Sequence, residues 1–393
     1  MEVWKRTVYI CLFGAFLTSM GTSQVAPILP LYVETMGVTD QAAVAQWSGW
    51  ALGITFIVVA LVAPFWGKLA DRKGRKLILL RASFGMMLCN LLIAFVQTPW
   101  QLVLARTAQG AVSGFFSGSV TLVSAETPEE HTGWALGMLA AANLAGALIG
   151  PLVGGYLASM FGIRSTFFIV SFFLSISFLL TLFFVHESYK PPVEKVKQSF
   201  RMLKKQLPNF HLIALMAVST FIYAVSLLAL QPIITVYVEE IIPPNTTHVA
   251  LLAGIVFSAT GFAQMMSSSV LGKLVDHLGP RRILFAALIY VGILTIPQAY
   301  VRDVIQLTVL RFFLGLGFGG LLPSINTFIS NHAPKHLAGQ VFSYVQSVQF
   351  LGYFLGSIGG ASFMAACGFT TLFWATGLLF IFNGLWVYLK VRK

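Results

Sequence analysis

The chain has 393 residues, of which 57% are hydrophobic and only 10% are charged. Soluble domains usually carry about 25% charged residues, so this composition excludes a soluble globular protein and indicates an integral membrane protein. An outer-membrane β-barrel is also excluded, because its alternating segments of roughly ten residues are absent. The cysteines, Cys11, Cys89 and Cys367, lie in apolar runs and indicate neither a disulfide framework nor a metal site.

The net charge of +12 follows the loops of the chain. Basic residues gather before the first apolar run, in alternate loops and at the end of the sequence. The positive-inside rule predicts that these segments, with both termini, lie on the cytoplasmic side of the cell membrane. The charge therefore reports membrane topology, and we expect no nucleic-acid partner.

Apolar runs of about 20 residues or more are long enough to cross about 30 Å of hydrocarbon. We interpret the first run as a membrane helix instead of a signal peptide, because it is too long and shows no cleavage site. The sequence predicts twelve spans, at residues 6–33, 45–67, 77–97, 100–122, 133–159, 164–185, 210–238, 247–272, 282–300, 304–328, 337–365 and 369–390.

A polar and basic stretch, residues 186–209, separates the sixth span from the seventh. It forms either a short amphipathic helix at the membrane surface or a solvated tether. We therefore expect an N-terminal six-helix half over 1–185, this linker, and a C-terminal six-helix half over 210–393.

The two halves repeat each other in register. Pro27 corresponds to Pro232, Gly74 corresponds to Gly279, and one inserted residue shifts the later pairs, such as Gly162 with Gly368. A parallel repeat of this kind is the plan of transporters that bind substrate between two halves near the membrane midplane. The predicted fold is an all-α membrane protein with 12 transmembrane helices in two pseudo-symmetric six-helix halves.

Three stretches carry a family resemblance. Residues 67–76 read GKLADRKGRK, residues 102–110 read LVLARTAQG, and residues 146–155 read GALIGPLVGG. They resemble the loop 2–3, helix 4 and helix 5 motifs of the major facilitator superfamily, in its twelve-helix drug:proton antiporter branch. The stretch LPLYVETMGV, which begins at Leu29, is similar to bacterial multidrug-efflux permeases, and the resemblance covers essentially the whole chain.

The basic loop after the second span has a physical interpretation of its own. Two glycines permit a tight turn, and an aspartate between them can accept charge-assisted hydrogen bonds. The resemblance implies that the loop is a conformational latch, with residues Gly67, Asp71, Arg72, Gly74, Arg75 and Lys76, and Asp276 in the second copy. The alternative is an ordinary basic loop that obeys the positive-inside rule.

Small residues at four-residue spacing let helix backbones approach closely. The fifth span carries such a stripe, and a proline in it removes a backbone donor and adds a kink. The motif consists of Gly146, Gly150, Pro151 and Gly154. The resemblance implies that span 5 packs on span 8 and span 11 on span 2, and we expect the glycines to form the surface on which the halves rock.

Arg106 and Arg311 lie inside the fourth and tenth spans, where a charged side chain needs a partner. We hypothesise that Glu34 and Arg106 form a proton-responsive pair and that Glu239 and Arg311 repeat it. An opposing charge lowers the pKa of a carboxylate and desolvation raises it, so a conformational change would alter its proton affinity. The alternative is a solvated Glu34 and an Arg106 that binds backbone carbonyls.

The resemblance places spans 1, 4, 7 and 10 around a mostly apolar substrate cavity with scattered polar groups. Candidate lining residues are Gln24, Phe115, Asn143, Tyr223, Gln231, Asn326, Gln346 and Gln349.

The sequence predicts proton-coupled efflux of lipophilic drugs by alternating access, without enzyme chemistry, metal or cofactor. Expected partners are a small lipophilic substrate, protons and membrane lipids, with the protein acting as a monomer. The alternatives are an exporter of an endogenous lipid or metabolite, a facilitative metabolite or sugar transporter, and a membrane receptor or enzyme. The fifth-span motif argues against a sugar transporter, and no grouping of the histidines and acids suggests a catalytic site.

Overall fold

The structure is a computed structural model that describes residues 2–187, 207, 210–243, 246, 248–334 and 337–390. For Asp71 it describes the backbone and not the side chain. Helices make up nearly all of these residues, and no strand occurs among them, so the predicted all-α class is confirmed. Most of the predicted linker, residues 186–209, lies outside the described residues.

Apolar sequence and intrahelical hydrogen bonding produce eight helices over residues 2–187. They are α1 Val3–Ser23, α2 Val25–Glu34, α3 Gln41–Lys73, α4 Arg75–Phe95, α5 Pro99–Val112, α6 Phe115–Glu126, α7 Glu129–Phe161 and α8 Ile163–Phe184.

The second half follows the same order with fewer interruptions. Its helices are α9 Phe210–Leu230, α10 Ile234–Ile241, α11 Val249–Leu278, α12 Pro280–Thr295 with a 3₁₀ turn Ile296–Tyr300, α13 Val304–His332 and α14 Ala338–Lys390.

Ten helical segments among the described residues are long and apolar enough to cross a membrane, which establishes a multi-pass membrane protein. The fourth predicted span is not among them, because α5 and α6 divide it. The 53-residue helix α14 contains the last two predicted spans and is interrupted at Gly368. The exact count of twelve spans remains a prediction.

Four of the glycines with positive φ form two corresponding pairs at turns between helical segments. Gly74 joins α3 to α4 with φ +95°, and Gly279 joins α11 to α12 with φ +87°. Gly162 joins α7 to α8 with φ +85°, and Gly368 turns the chain within α14 with φ +81°. Side chains rarely tolerate such φ values, so these corners require glycine. The two pairs are those that the sequence repeat predicts.

Two tyrosines at corresponding positions make corresponding hydrogen bonds in the two halves. The hydroxyl of Tyr32 in α2 donates to the carbonyl of Ile93 at 2.6 Å, and the hydroxyl of Tyr237 in α10 donates to the carbonyl of Gln298 at 2.7 Å. The repeat therefore extends from sequence to individual hydrogen bonds.

The break between α5 and α6 lies at Gly114, whose φ is +119°. The indole nitrogen of Trp66 donates to the carbonyl of Ala111 at 2.7 Å, and the guanidinium of Arg81 donates to the carbonyl of Ser113 at 2.8 Å. The same guanidinium lies 3.7 Å from the ring centroid of Trp66. Unpaired carbonyls are costly in hydrocarbon, so these two side chains stabilise the break.

The described residues form two compact units. Unit 1 contains those of 1–38, 54–194 and 246–258, and unit 2 contains those of 39–53, 195–245 and 259–393. The first turns of α3 thus belong to unit 2, and the first turns of α11 belong to unit 1. The units differ from the predicted halves at these two segments, and the halves themselves remain a prediction.

The glycine stripe of α7 packs against α1. A Cβ atom at Gly146 would overlap the carbonyl oxygen of Phe16, and one at Gly150 would lie 2.7 Å from the carbonyl oxygen of Met20. At Gly154 it would lie 3.1 Å from the Cα of Gln24. The expectation that these glycines face the eighth span is therefore wrong.

A neighbouring face of α7 contacts the start of α11 within unit 1. A Cβ atom at Gly254 would lie 2.5 Å from the carbonyl oxygen of Pro151, and the hydroxyl of Ser258 donates to the carbonyl of Leu148 at 3.0 Å. In unit 2 the start of α3 contacts α14 in the corresponding way, where Ser357 donates to the carbonyl of Gly49 at 2.9 Å.

We expect Gly150→Val to lower the melting temperature of the detergent-solubilised protein by several degrees. The added side chain would meet the Ser23 hydroxyl and the Met20 backbone, and such overpacking costs about 1–3 kcal/mol. Gly137→Val in the same helix is the control, because nothing lies within 4 Å of a Cβ atom at Gly137. Equal melting temperatures for the two variants would contradict this packing.

Candidate functional site

The basic stretch 67–76 is mostly helical. α3 continues through Lys73, and Gly74 alone separates it from α4. Gly67 lies within α3, with nothing within 4 Å of a Cβ atom built there, so its expected role in a tight turn is wrong. The turn needs only one residue, because a positive φ at Gly74 reverses the chain direction.

A carboxylate that sequence reasoning missed binds the start of α4. The two carboxylate oxygens of Glu187 accept hydrogen bonds from the backbone nitrogens of Arg75 at 2.6 Å and Lys76 at 2.8 Å. The ammonium of Lys76 donates to the carbonyl of Leu182 at 2.9 Å. A negative charge at a helix N-terminus is stabilising. These contacts join the end of the sixth predicted span to the basic loop. The sequence offered one signal for them, which is an acidic residue directly after that span.

The remaining latch candidates are Arg72, Asp71 and Asp276. Arg72 is exposed, the side chain of Asp71 lies outside what the structure describes, and Asp276 is exposed near the end of α11. The latch therefore stays a prediction.

Arg106 is buried within α5, with 1% of its surface exposed. Its guanidinium donates to the side-chain oxygen of Gln109, one turn further along the helix. The hydroxyl of Thr55 in α3 donates to the Arg106 carbonyl at 3.3 Å. Gln109 was missed by sequence reasoning, and its spacing of three residues from Arg106 is the signal that would have found it. Glu34, the expected ionic partner, is the half-buried last residue of α2.

Arg311 occupies the corresponding position in α13 and is 7% exposed. Its Nε and Nη2 atoms have no hydrogen-bond partner. Within the described residues, no ion pair of 4.0 Å or less joins Arg311 to Glu239, so the structure does not form the second expected pair. Arg311 lies seven residues into its helix, about 10 Å along the axis, whereas Glu239 lies near the end of α10.

Gln24 lies at the junction of α1 and α2 and is fully buried. Both its amide oxygen and its amide nitrogen lack a hydrogen-bond partner. A buried polar group without a partner costs about 1–3 kcal/mol, so such a group is rarely retained for stability alone. Ala229 stands at the corresponding position of the second half and packs against Gly360.

The other candidate cavity residues differ in how much of each side chain is exposed. Phe115 is 2% exposed and packs against Gly14 in the core of unit 1, and its place in a cavity wall stays a prediction. Tyr223 is 3% exposed, with its ring centroid 6.4 Å from that of Phe318. Asn143, Gln231 and Gln349 are half-buried, and Asn326 and Gln346 are exposed.

Gln349 makes a contact that the sequence did not indicate. Its side-chain nitrogen donates to the hydroxyl of Tyr353, one turn along α14, at 2.8 Å. An amide and a phenol thus lie side by side in unit 2.

Comparisons with known proteins agree with this architecture. The Major Facilitator Superfamily profile matches residues 11–242 and 216–393. The chain is 42% identical over 390 residues to "Multidrug resistance protein MdtG" of Dickeya zeae, which covers 99% of this chain and 95% of that protein. It is 40% identical to the protein of the same name from Escherichia coli (strain SMS-3-5 / SECEC), with 99% and 95% covered.

Solved structures share the fold at low identity. The chain superimposes on a D-xylose-proton symporter with a TM-score of 0.80 at 15% identity, covering 100% of this chain and 99% of that one. Together these findings show that the protein is a multi-pass helical membrane transporter. The chain belongs to the Major Facilitator Superfamily.

We expect Gln24→Met to leave the stability of the protein unchanged or raise it, because an amide without hydrogen-bond partners is replaced by an apolar side chain of similar length. Gln298→Met is the matched control: Gln298 is also fully buried, but its amide nitrogen donates to the Leu294 carbonyl at 2.9 Å. That variant should lose about 1 kcal/mol or more. Thermal unfolding in detergent compares the two, and a similar loss in both would show that Gln24 is hydrogen-bonded.

Proposed function

We propose that this protein is a multidrug efflux transporter that exports lipophilic compounds in exchange for protons by alternating access. The observation that carries the proposal is the identity of about 40% over essentially the whole chain with bacterial proteins named for multidrug resistance. The shared fold does not distinguish export from uptake, since a sugar–proton symporter has it too. The relatives favour export.

The described helices are consistent with a weakly polar transport path. In unit 1, Gln24 and Gln109 carry amide atoms without hydrogen-bond partners, and Arg106 is a buried guanidinium group. Binding a ligand in such surroundings gives polar atoms the partners that they lack. Buried positive charge disfavours permanently cationic compounds, so we expect neutral lipophilic substrates to be transported best.

We assign proton coupling to Glu34 as part of this proposal. It is a half-buried carboxylate in the helix that follows the Gln24 junction. A carboxylate can bind and release a proton when a conformational change alters its surroundings. The substrate path includes Gln24, and Gln24→Met should reduce export while the fold is retained.

The proposal includes location and assembly. The protein acts as a monomer in the cytoplasmic membrane, with both termini on the cytoplasmic side as the basic loops require. It performs no covalent chemistry.

Expression in a bacterial strain that lacks its own drug pumps is expected to reduce the accumulation of a neutral lipophilic dye. An uncoupler that collapses the proton gradient should restore accumulation to the level of cells with an empty vector. Fluorescence of washed cells measures both. Efflux that persists without a proton gradient would contradict antiport, and uptake of a sugar would contradict the direction.

Glu34→Gln is expected to abolish efflux driven by an imposed pH gradient, because an amide cannot release a proton at physiological pH. Glu240→Gln is the control, since Glu240 is an exposed carboxylate near the end of α10. Dye transport in reconstituted vesicles measures both variants. Full gradient-driven export by Glu34→Gln would exclude Glu34 as the coupling group.

A further inference from the structure

A cavity of about 710 Å³ lies in unit 2, where α11 turns into α12 at Gly279. Its walls come from that turn, from the end of α13 and from the end of α14. Of the candidate site residues described above, Asp276 is the one that lines this cavity.

The cavity is lined by an excess of positive charge. Arg281 and Arg282 follow the turn, and His277 and His332 also line the cavity. Arg281 is held in place: its guanidinium donates to the carbonyl of Tyr388 at 2.5 Å and lies 5.1 Å from the Tyr388 ring centroid. Its Nε is buried and has no hydrogen-bond partner.

One carboxylate, Asp276, also lines the cavity. It is exposed, and within the described residues no ion pair of 4.0 Å or less joins it to Arg281 or Arg282. The start of α12 adds further positive potential, because no side chain caps this 16-residue helix and its first backbone N–H groups lack intrahelical acceptors.

The first half of the same chain shows what such a turn binds. Gly74 has nearly the φ of Gly279, and there the carboxylate of Glu187 bridges the backbone nitrogens of Arg75 and Lys76. In the repeat, Lys76 corresponds to Arg281, so the second turn has a backbone donor at the same place.

The second turn differs from the first in two ways. Pro280 stands where Arg75 stands and supplies no N–H, while the guanidinium of Arg281 adds donors. The residues that correspond to Glu187 are Arg392 or Lys393, depending on the repeat offset; both have basic side chains and lie outside the described residues. No carboxylate side chain of the repeat is therefore available to fill the second site.

We propose that this cavity binds a phosphate group, either as inorganic phosphate or as the headgroup of an anionic phospholipid. Guanidinium and helix N-terminal N–H groups are the donors that phosphate prefers in proteins. The cavity is much larger than one phosphate, and Leu212, Phe285 and Phe328 give it an apolar wall. This shape accommodates the glycerol and upper acyl region of a lipid.

The test uses the full-length protein in detergent and measures thermal unfolding in two arms. One arm adds inorganic phosphate, and the other adds short-chain phosphatidylglycerol, with phosphatidylcholine as the reference. Stabilisation by phosphate alone identifies the free anion, whereas stabilisation by phosphatidylglycerol over phosphatidylcholine identifies the lipid. Either result supports a phosphate site, and no effect in both arms overturns it.

Variants locate the site. Arg281→Gln with Arg282→Gln is expected to weaken binding about tenfold or more, because two charge-assisted donors are lost. Arg75→Gln with Lys76→Gln removes the same charge at the turn that Glu187 already occupies, and should change binding little. An equal loss in the two double variants would show non-specific attraction to basic loops and overturn the proposal.

A gain of binding supplies an independent check. Glu187→Gln removes the carboxylate at the first turn, so native mass spectrometry should detect a second bound phosphate or phosphatidylglycerol on that variant. An unchanged stoichiometry in a variant that still folds would count against the equivalence of the two turns.

Discussion

A bilayer offers no water to the polypeptide backbone, and this constraint governs the structure of the protein. Every carbonyl and N–H group in hydrocarbon must find a partner in the chain, so the spans are helices. Where a helix breaks, side chains replace the missing bonds. Trp66 and Arg81 bind the carbonyls at the break before Gly114, and Tyr32 binds the carbonyl of Ile93.

Because of the same constraint, a buried polar atom without a hydrogen-bond partner is costly and therefore indicates a function. Gln24 and Arg311 keep buried donors without acceptors, although packing could have replaced them with apolar side chains. A protein retains such groups when a ligand or another conformation provides the partner. The substrate path that we propose depends on Gln24 for this reason.

The internal repeat serves as a built-in comparison. Gly74 and Gly279 form nearly the same corner, yet among the described residues a carboxylate binds the start of the following helix at the first corner and not at the second. Gln24 faces a glycine of α7, whereas Ala229 faces the corresponding glycine of α14. Features that both halves share reflect the fold, because the helices of both halves pack in the same way. Features found in one half indicate specialised roles, and the cationic turn at Gly279 is one of them.

The sequence by itself determined the membrane class, the helical composition, the family and the glycine corners, because these depend on composition and on a register that repeats along the chain. It did not determine which way a helix face points. The stripe at Gly150 packs on α1, Phe115 lies in the core, and Gly67 lies inside a helix. Rotation of a helix about its axis is set by neighbours distant in sequence, and in a uniformly apolar helix no polar face reveals it. Only the tertiary structure decided these orientations, together with the contact between Glu187 and the start of α4, which joins residues more than a hundred positions apart.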